Sequence, residues 1–408
     1  MRRVHAAGGA RIRVIEVNPS RQVWGAEMAT LAMLQPLARL GIELVLASPP
    51  GGELAERWIG LGGEHIPLVL PSRRGLRSAE DRDRRAGLSQ LATELGASVS
   101  AVRRVAAVAR TGDVVHTSSL WAHLDCALGA RLARRPVVLE LCDLVRPGLG
   151  RHVLTGAMGL ATAATAVSRA AAQCVGPFGS RRLQILPPAV DIEHFAPGPR
   201  DLTIRQALGV LPDVPLVGII GRIDPDKGVD VVVRAVALLP SSLGRVQLVV
   251  VGGPGLDSGG YLDSVRSEAE QLLGDRVRFT GRMDDVAAVV RSLDVLVNAS
   301  AAEPFGLTVL EAQASGVPVV ATCAGGIPDF VVDGETGLLV ESGDAKALAD
   351  ALNRVLGDGR LRDRLGRAGR AAAVAHYSSN DRAEVLANIY RGVLGEAKLR
   401  RGSRGDEP

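Results

Sequence analysis

The sequence predicts two doubly wound, Rossmann-like α/β domains facing each other across a cleft. Three observations carry that expectation. The chain has 408 residues, 47% of them hydrophobic, which is enough to bury two ordinary cores. Short apolar runs alternate with helical patterns along the chain, as a parallel sheet requires. The glycine-rich and charged motifs stand directly after those runs, and open α/β sheets bind ligands outside the carboxyl ends of their strands.

In chain order, residues 13–17 read as the first strand. Asn18-Pro19-Ser20 and Trp24-Gly25-Ala26-Glu27 follow, then a helix over 28–40 and a strand over 42–47. Residues 72–85 are a polar, charged segment, the pattern of a solvated loop or helix face. A helix rich in Leu, Ala, Val and Arg covers 88–110. Asp113-Val114-Val115-His116 is a strand ending in a histidine, and 137–141 is the next strand. Pro197, Gly198 and Pro199 break regular structure and put a linker at 194–199. Beyond it, strands are expected at 216–220, 247–251, 277–280, 295–298, 319–322 and 338–340, with helices between them. Helical patterns at 346–356, 361–375 and 383–393 close the chain. The domain reading is 1–193, then 200–378, a final helix within 379–397, and a disordered tail over 398–408.

Composition excludes several function classes. Only 3% of residues are aromatic, so no stacking platform interleaves with the basic clusters, and single-stranded nucleic acid is not an expected partner. Just three of the 48 basic residues are lysines, Lys227, Lys346 and Lys398. Cys126, Cys142, Cys174 and Cys323 are scattered, without the close pairs of a zinc or redox motif, which suits a reducing compartment. The amino terminus lacks a signal-peptide pattern, and the uncharged stretch 153–168 is short of the ~20 residues of a membrane span. A soluble cytoplasmic protein is expected. Its charge is uneven: residues 1–190 hold 24 Arg against 14 Asp and Glu, a formal +10, and the remainder carries −6.

The densest chemistry lies in Glu303-Pro304-Phe305-Gly306-Leu307-Thr308-Val309-Leu310-Glu311. It follows the apolar run before Asn298-Ala299-Ser300 and opens a helix over 307–315. A helix start at a strand's carboxyl end offers free N–H groups and a positive dipole end to a phosphate. Glu303 precedes the helix and Glu311 lies four residues after Leu307, so both can face one crevice. One carboxylate can address a sugar and the other both hydroxyls of a ribose; alternatively, Glu311 is an exposed helix residue and Glu303 a dipole partner. Gly221-Arg222-Ile223-Asp224-Pro225-Asp226-Lys227-Gly228 places a rigid guanidinium fork and a mobile ammonium five residues apart across a turn, a pair suited to a diphosphate. Gly252-Gly253-Pro254-Gly255 lets backbone come close to a ligand. Two cations and a helix dipole can do a divalent ion's work at a diphosphate, and no metal or other cofactor is expected.

Two glutamates with seven residues between them, written around Pro-Phe-Gly, resemble the signature of retaining glycosyltransferases of family 4, which have the GT-B fold. Further landmarks recur in order: Trp24-Gly25-Ala26-Glu27, Thr165-Ala166-Val167-Ser168-Arg169, Ile185 to Asp191, Gly221 to Gly228, and Ala324-Gly325-Gly326-Ile327-Pro328-Asp329. The resemblance implies a hexosyltransferase that moves a sugar from a nucleotide diphosphate to a hydroxyl acceptor with its anomeric configuration retained. It implies catalytic roles for Glu303, Arg222, Lys227 and His116. The donor would be bound by Gly25, Gly221, Arg222, Lys227, Gly253, Phe305, Gly306, Leu307 and Glu311, and the last helix would cross back to the first domain. Three departures stand out. Trp24-Gly25 replaces a common glycine pair, Cys142-Asp143-Leu144 replaces His-Asp-Leu, and Ser118 occupies the usual histidine's place two residues after His116. Many relatives glycosylate lipids or lipid-linked sugars. With the positive first domain, this makes an anionic membrane surface at the inner face of the cell membrane a candidate partner, through Arg73, Arg74, Arg77, Arg82, Arg84, Arg85, Arg103 and Arg104. A non-hydrolysing nucleotide-sugar epimerase and an inactive nucleotide-sugar-binding protein are the alternatives.

Overall fold

A computed structural model describes residues 11–71, 88–180, 183–200, 202–210, 213–255 and 259–402. Segment 72–85, with six of the eight arginines named for a membrane surface, lies outside them. The chain divides into two compact units. The first comprises Met1–Pro188 with Ser379–Pro408, and the second is Ala189–Ser378.

The first unit is built on a parallel sheet of β1 (Ile12–Val17), β2 (Ile42–Ser48), β3 (Glu64–Pro67), β4 (Val114–Thr117), β5 (Val137–Leu141), β6 (Ala163–Ala166) and β7 (Leu183–Ile185). Their order is β3-β2-β1-β4-β5-β6-β7. The second unit has β8 (Leu216–Ile220), β9 (Gln247–Val251), β10 (Val277–Gly281), β11 (Val295–Asn298), β12 (Val319–Thr322) and β13 (Leu338–Val340), ordered β10-β9-β8-β11-β12-β13. Both are doubly wound. Winding reverses between β1 and β4 in one sheet and between β8 and β11 in the other, and ligand crevices open at such switch points. The central strands are continuous apolar runs because helices cover both faces; Val217, Val250 and Val297 are buried with Val232 and Leu352 from flanking helices.

Three sequence expectations need correction. Residues 398–402 are not a disordered tail but continue the last helix, Ser379–Gly402, whose sequence has no proline and carries good helix formers from Glu396 to Arg401. Segment 194–199 is not a free linker. Arg370 Nη1 donates to the carbonyls of Ile192 (2.9 Å), Phe195 (3.1 Å) and Ala314 (2.6 Å), tying that stretch into the second unit. Strands β3 and β7 were not anticipated; each is a short sheet edge without the apolar run that marks the central strands.

The last helix is held to the first sheet by a buried polar network. Glu16 and His116 are register partners on β1 and β4, and Glu140 on β5 lies on the same face. His116 Nδ1 is 2.8 Å from Glu16 Oε2 and 3.1 Å from the Tyr390 hydroxyl, while Nε2 lies 3.6 Å from Glu140 Oε2. Arg382 donates to Glu140 Oε1 at 2.5 Å and to the Leu186 carbonyl at 3.0 Å. Burial opposes a charged imidazole, yet the Glu16 and Glu140 carboxylates hold the His116 pKa above its ordinary value. Burial drives neighbouring His123 the other way, down to about 4, and its Nε2 is 3.0 Å from the Glu140 carbonyl.

Candidate active site

In the second unit, the loops leaving β8, β9, β11 and β12 are stitched together at the switch point. After β8 the chain passes Arg222 and makes a tight turn over Pro225–Lys227. Ala301 N–H donates to the Asp226 carbonyl (2.9 Å), joining this loop to the one after β11. Ile223 N–H donates to the Gly253 carbonyl (2.9 Å), joining it to the glycine loop after β9. Gly326 N–H donates to the Glu303 carbonyl (2.8 Å), adding the loop after β12. Gly325 is required there: its φ is +58°, and a Cβ would stand 1.9 Å from the Glu303 carbonyl oxygen.

These joints bring Lys227 and Glu303 together. Lys227 Nζ donates to Glu303 Oε2 at 2.6 Å. Ser300 Oγ (3.0 Å) and Asn298 Nδ2 (3.3 Å) donate to the same oxygen. Burial alone would raise the Glu303 pKa. The Lys227 charge and the three hydrogen bonds outweigh it, so the carboxyl sits below its usual range. Arg222, about one-third exposed, pairs with Asp224 at 3.2 Å. Two cations and one carboxylate therefore stand on adjoining loops, as the motif spacing predicts.

The helix Leu307–Ala314 starts beside them, capped by Gly306 at φ +107°. Leu307 and Thr308 N–H groups have no acceptor among the described residues, so the helix start remains open to an anion. Glu311, in the second turn of this helix, is 8% exposed, and its carboxylate has no hydrogen-bond or ion-pair partner among the described residues. Burial pushes its pKa up to about 8. A buried carboxylate without a partner is costly unless a ligand supplies donors.

Other expected residues are placed differently. The Phe305 ring is 4% exposed and stacks on Phe330 with centroids 4.5 Å apart, so it supports the loop from beneath and only its backbone can meet a donor. Gly221 and Gly253 have open space around them: a Cβ would meet nothing within 4 Å at Gly221 and only Arg282, at 3.8 Å, at Gly253. In the first unit, Gly25 opens the helix Gly25–Arg39, and a Cβ there would meet nothing within 4 Å. His116 does not fit a group that touches substrate. Its ring is 5% exposed and committed to Glu16 and Tyr390. Sequence reasoning missed Asn298 and Ser300 as partners of Glu303, although both stand within five residues of it. Among the described residues no group of three or more His, Cys, Asp or Glu side chains could hold a metal ion, and no helix is long and apolar enough to cross a membrane.

Comparison with known proteins bears on the segment that carries these loops. Residues 201–372 match the family glycosyl transferases group 1. Among curated relatives, a D-inositol 3-phosphate glycosyltransferase of Nocardia farcinica is 40% identical over 226 residues, 53% of this chain and 48% of the relative. One of Mycobacterium marinum is 37% identical over 236 residues, 56% of this chain and 48% of the relative. The chain thus spans about half the length of the curated relatives it matches. Anabaena HepE in complex with UDP-glucose superposes with a TM-score of 0.79 at 22% identity, covering 94% of this chain and 100% of that one. A glycosyltransferase of Rickettsia africae gives 0.76 at 20% identity, covering 94% and 99%. These likenesses show the fold, the pair of Rossmann-like domains of GT-B glycosyltransferases, and the stretch that matches the group 1 family lies in the second unit.

Proposed function

We propose that the chain is a retaining glycosyltransferase that moves a sugar from a nucleotide diphosphate to a hydroxyl acceptor. The observation that carries this reading is the Lys227–Glu303 pair beside the open start of the helix Leu307–Ala314, within the group 1 domain. The difficult step is departure of a diphosphate as negative charge builds on it. Arg222, Lys227 and the Leu307 and Thr308 N–H groups stabilise that charge, with no metal ion required. Glu303 binds hydroxyls of the transferred sugar, and the unpartnered Glu311 takes the ribose hydroxyls. The anomeric carbon exchanges its bond to the phosphate oxygen for one to the acceptor oxygen on the same face. The acceptor's proton passes to the leaving phosphate.

The first unit is proposed to bind the acceptor. The matched D-inositol 3-phosphate glycosyltransferases and the UDP-glucose complex of HepE support inositol phosphates as first acceptors and uridine diphosphate sugars as first donors to test. The +10 charge of residues 1–190 supports an anionic acceptor, and by the same field a contact with an anionic bilayer. The test is a panel of nucleotide sugars with and without D-inositol 3-phosphate, followed by nuclear magnetic resonance of the product's anomeric proton. Acceptor-dependent diphosphate release with the donor's configuration preserved is expected. An inverted product would remove the retaining mechanism. An epimerised nucleotide sugar, with no net diphosphate release and no acceptor product, would favour the epimerase alternative.

A further inference from the structure

Glu303 is held in an unusually one-sided way. All three donors among the described residues, Lys227 Nζ (2.6 Å), Ser300 Oγ (3.0 Å) and Asn298 Nδ2 (3.3 Å), converge on Oε2. No hydrogen bond reaches Oε1 from the described residues, and Oε1 is not among their enclosed, unsatisfied atoms. The two neutral donors are themselves locked. Asn298 Oδ1 accepts from Ser300 N–H at 3.1 Å, so flipping the carboxamide would set an oxygen against the carboxylate and an N–H₂ against an N–H. Thr322 Oγ1 donates to the Ser300 carbonyl at 2.6 Å. Asn298, Ser300 and Thr322 are all buried, at 7%, 1% and 1% exposure. With Gly326 N–H on the Glu303 carbonyl, backbone and side chain are both fixed without a ligand.

We propose that Asn298 and Ser300 are positioning residues that hold Oε2 of Glu303 and thereby present Oε1 as the acceptor for a hydroxyl of the transferred sugar. This deepens the role given to Glu303 in the proposed reaction and rests on that reading only for the identity of the ligand. Two consequences follow from the geometry. Lys227 keeps two of its three N–H donors for a diphosphate while the third is tied to Oε2. The carboxylate needs no reorganisation as the sugar arrives, because its rotamer is set by fixed dipoles.

The experiment uses the full chain and reads Glu303 directly. Carboxyl-carbon resonances of ¹³C-glutamate-labelled protein are titrated, with Glu303 assigned by its loss in Glu303→Gln. In Ser300→Ala the Glu303 pKa is expected to rise by about one pH unit, the worth of a hydrogen bond to a charged group. Asn298→Asp, which keeps the acceptor for Ser300 N–H but turns a like charge to Glu303, should raise it further. Ser300→Thr, which keeps the hydroxyl, should leave it near the native value. Where transfer is measured, Ser300→Ala should lower kcat about tenfold and move the acid limb of its pH profile upward, with bare diphosphate affinity unchanged. An unmoved Glu303 titration in both Ser300→Ala and Asn298→Asp, with both variants folded, would overturn the proposal. A moved titration in a protein that turns over no nucleotide sugar would instead sustain the positioning role and sink the transferase reading.

Discussion

Lys227 and Glu303, 76 positions apart in the chain, form a 2.6 Å ion pair in which one member is a half-buried cation and the other a buried carboxylate. The pair changes what removal of the cation should do. Arg222→Ala and Lys227→Ala are each expected to lower turnover by ~10²-fold, the usual loss on removing a preorganised charge donor. Their stabilities should differ. Arg222 is about one-third exposed, so its loss should leave the melting temperature nearly unchanged. Lys227→Ala leaves Glu303 without its cation and should cost roughly 1–3 kcal/mol, read as a drop of several degrees. Equal melting temperatures in the two variants would remove the structural half of this account.

Glu311 gives a pH dependence with a defined sign. Its folded carboxyl is raised from 4.5 to about 8, so the unfolded chain ionises first and stability is lost as pH rises through that window. Glu311→Gln should therefore raise the melting temperature at pH 8 while weakening nucleoside diphosphate binding. If ribose hydroxyls bind the carboxylate form, native affinity should fall about fivefold between pH 8 and pH 7, and the Gln variant should lose that slope. Calorimetry at the two pH values checks both statements. A Gln variant that binds as tightly as the native protein would leave the ribose role without support.

The network under the last helix should behave as a structural lock. His116 has a raised folded pKa, so its contribution is complete below its ordinary value of 6.5 and is lost as pH rises through the folded value. Denaturant unfolding across pH 6 to 9 should show a steeper decline in the native protein than in His116→Gln, which keeps only the part due to Glu311. Arg382→Met leaves Glu140 buried without its cation and should cost about 3 kcal/mol.

The basic first unit makes a separate prediction. Arg103 and Arg104 are exposed on the helix Leu88–Ala109, and six further arginines stand in 72–85. Sedimentation with anionic but not neutral liposomes at low salt is expected, with release at 0.5 M salt, where the Debye length falls below its ~10 Å at 0.1 M. Replacing Arg73, Arg74 and Arg77 by Glu should abolish it. Absence of sedimentation at low salt would point to a soluble acceptor.

The strands were legible because parallel, doubly covered sheets demand apolar runs; β5, β8, β9, β11, β12 and β13 fall where those runs are. The diphosphate loop was legible because Arg222 and Lys227 need particular residue types across a turn. Single polar residues inside apolar runs were not. Glu16 and Glu140 look like interruptions of a strand; Glu16 finds its partner in His116 a hundred residues on, and Glu140 in Arg382, more than two hundred residues later. His116 was misplaced for the same reason: a strand-end histidine looks the same in sequence whether it faces a ligand or a buried helix. Asn298 and Ser300 escaped notice because short polar residues after a strand usually only end it.

The central claim is that Glu303 serves the sugar and Glu311 the nucleotide. The measurement that tests it most directly is calorimetric binding of the bare nucleoside diphosphate, paired with transfer rates, for Glu303→Ala and Glu311→Ala. The account predicts that Glu303→Ala keeps the diphosphate affinity within about twofold and loses transfer, whereas Glu311→Ala loses the affinity itself. Equal losses of diphosphate affinity in both variants, or full transfer by Glu303→Ala, would contradict it.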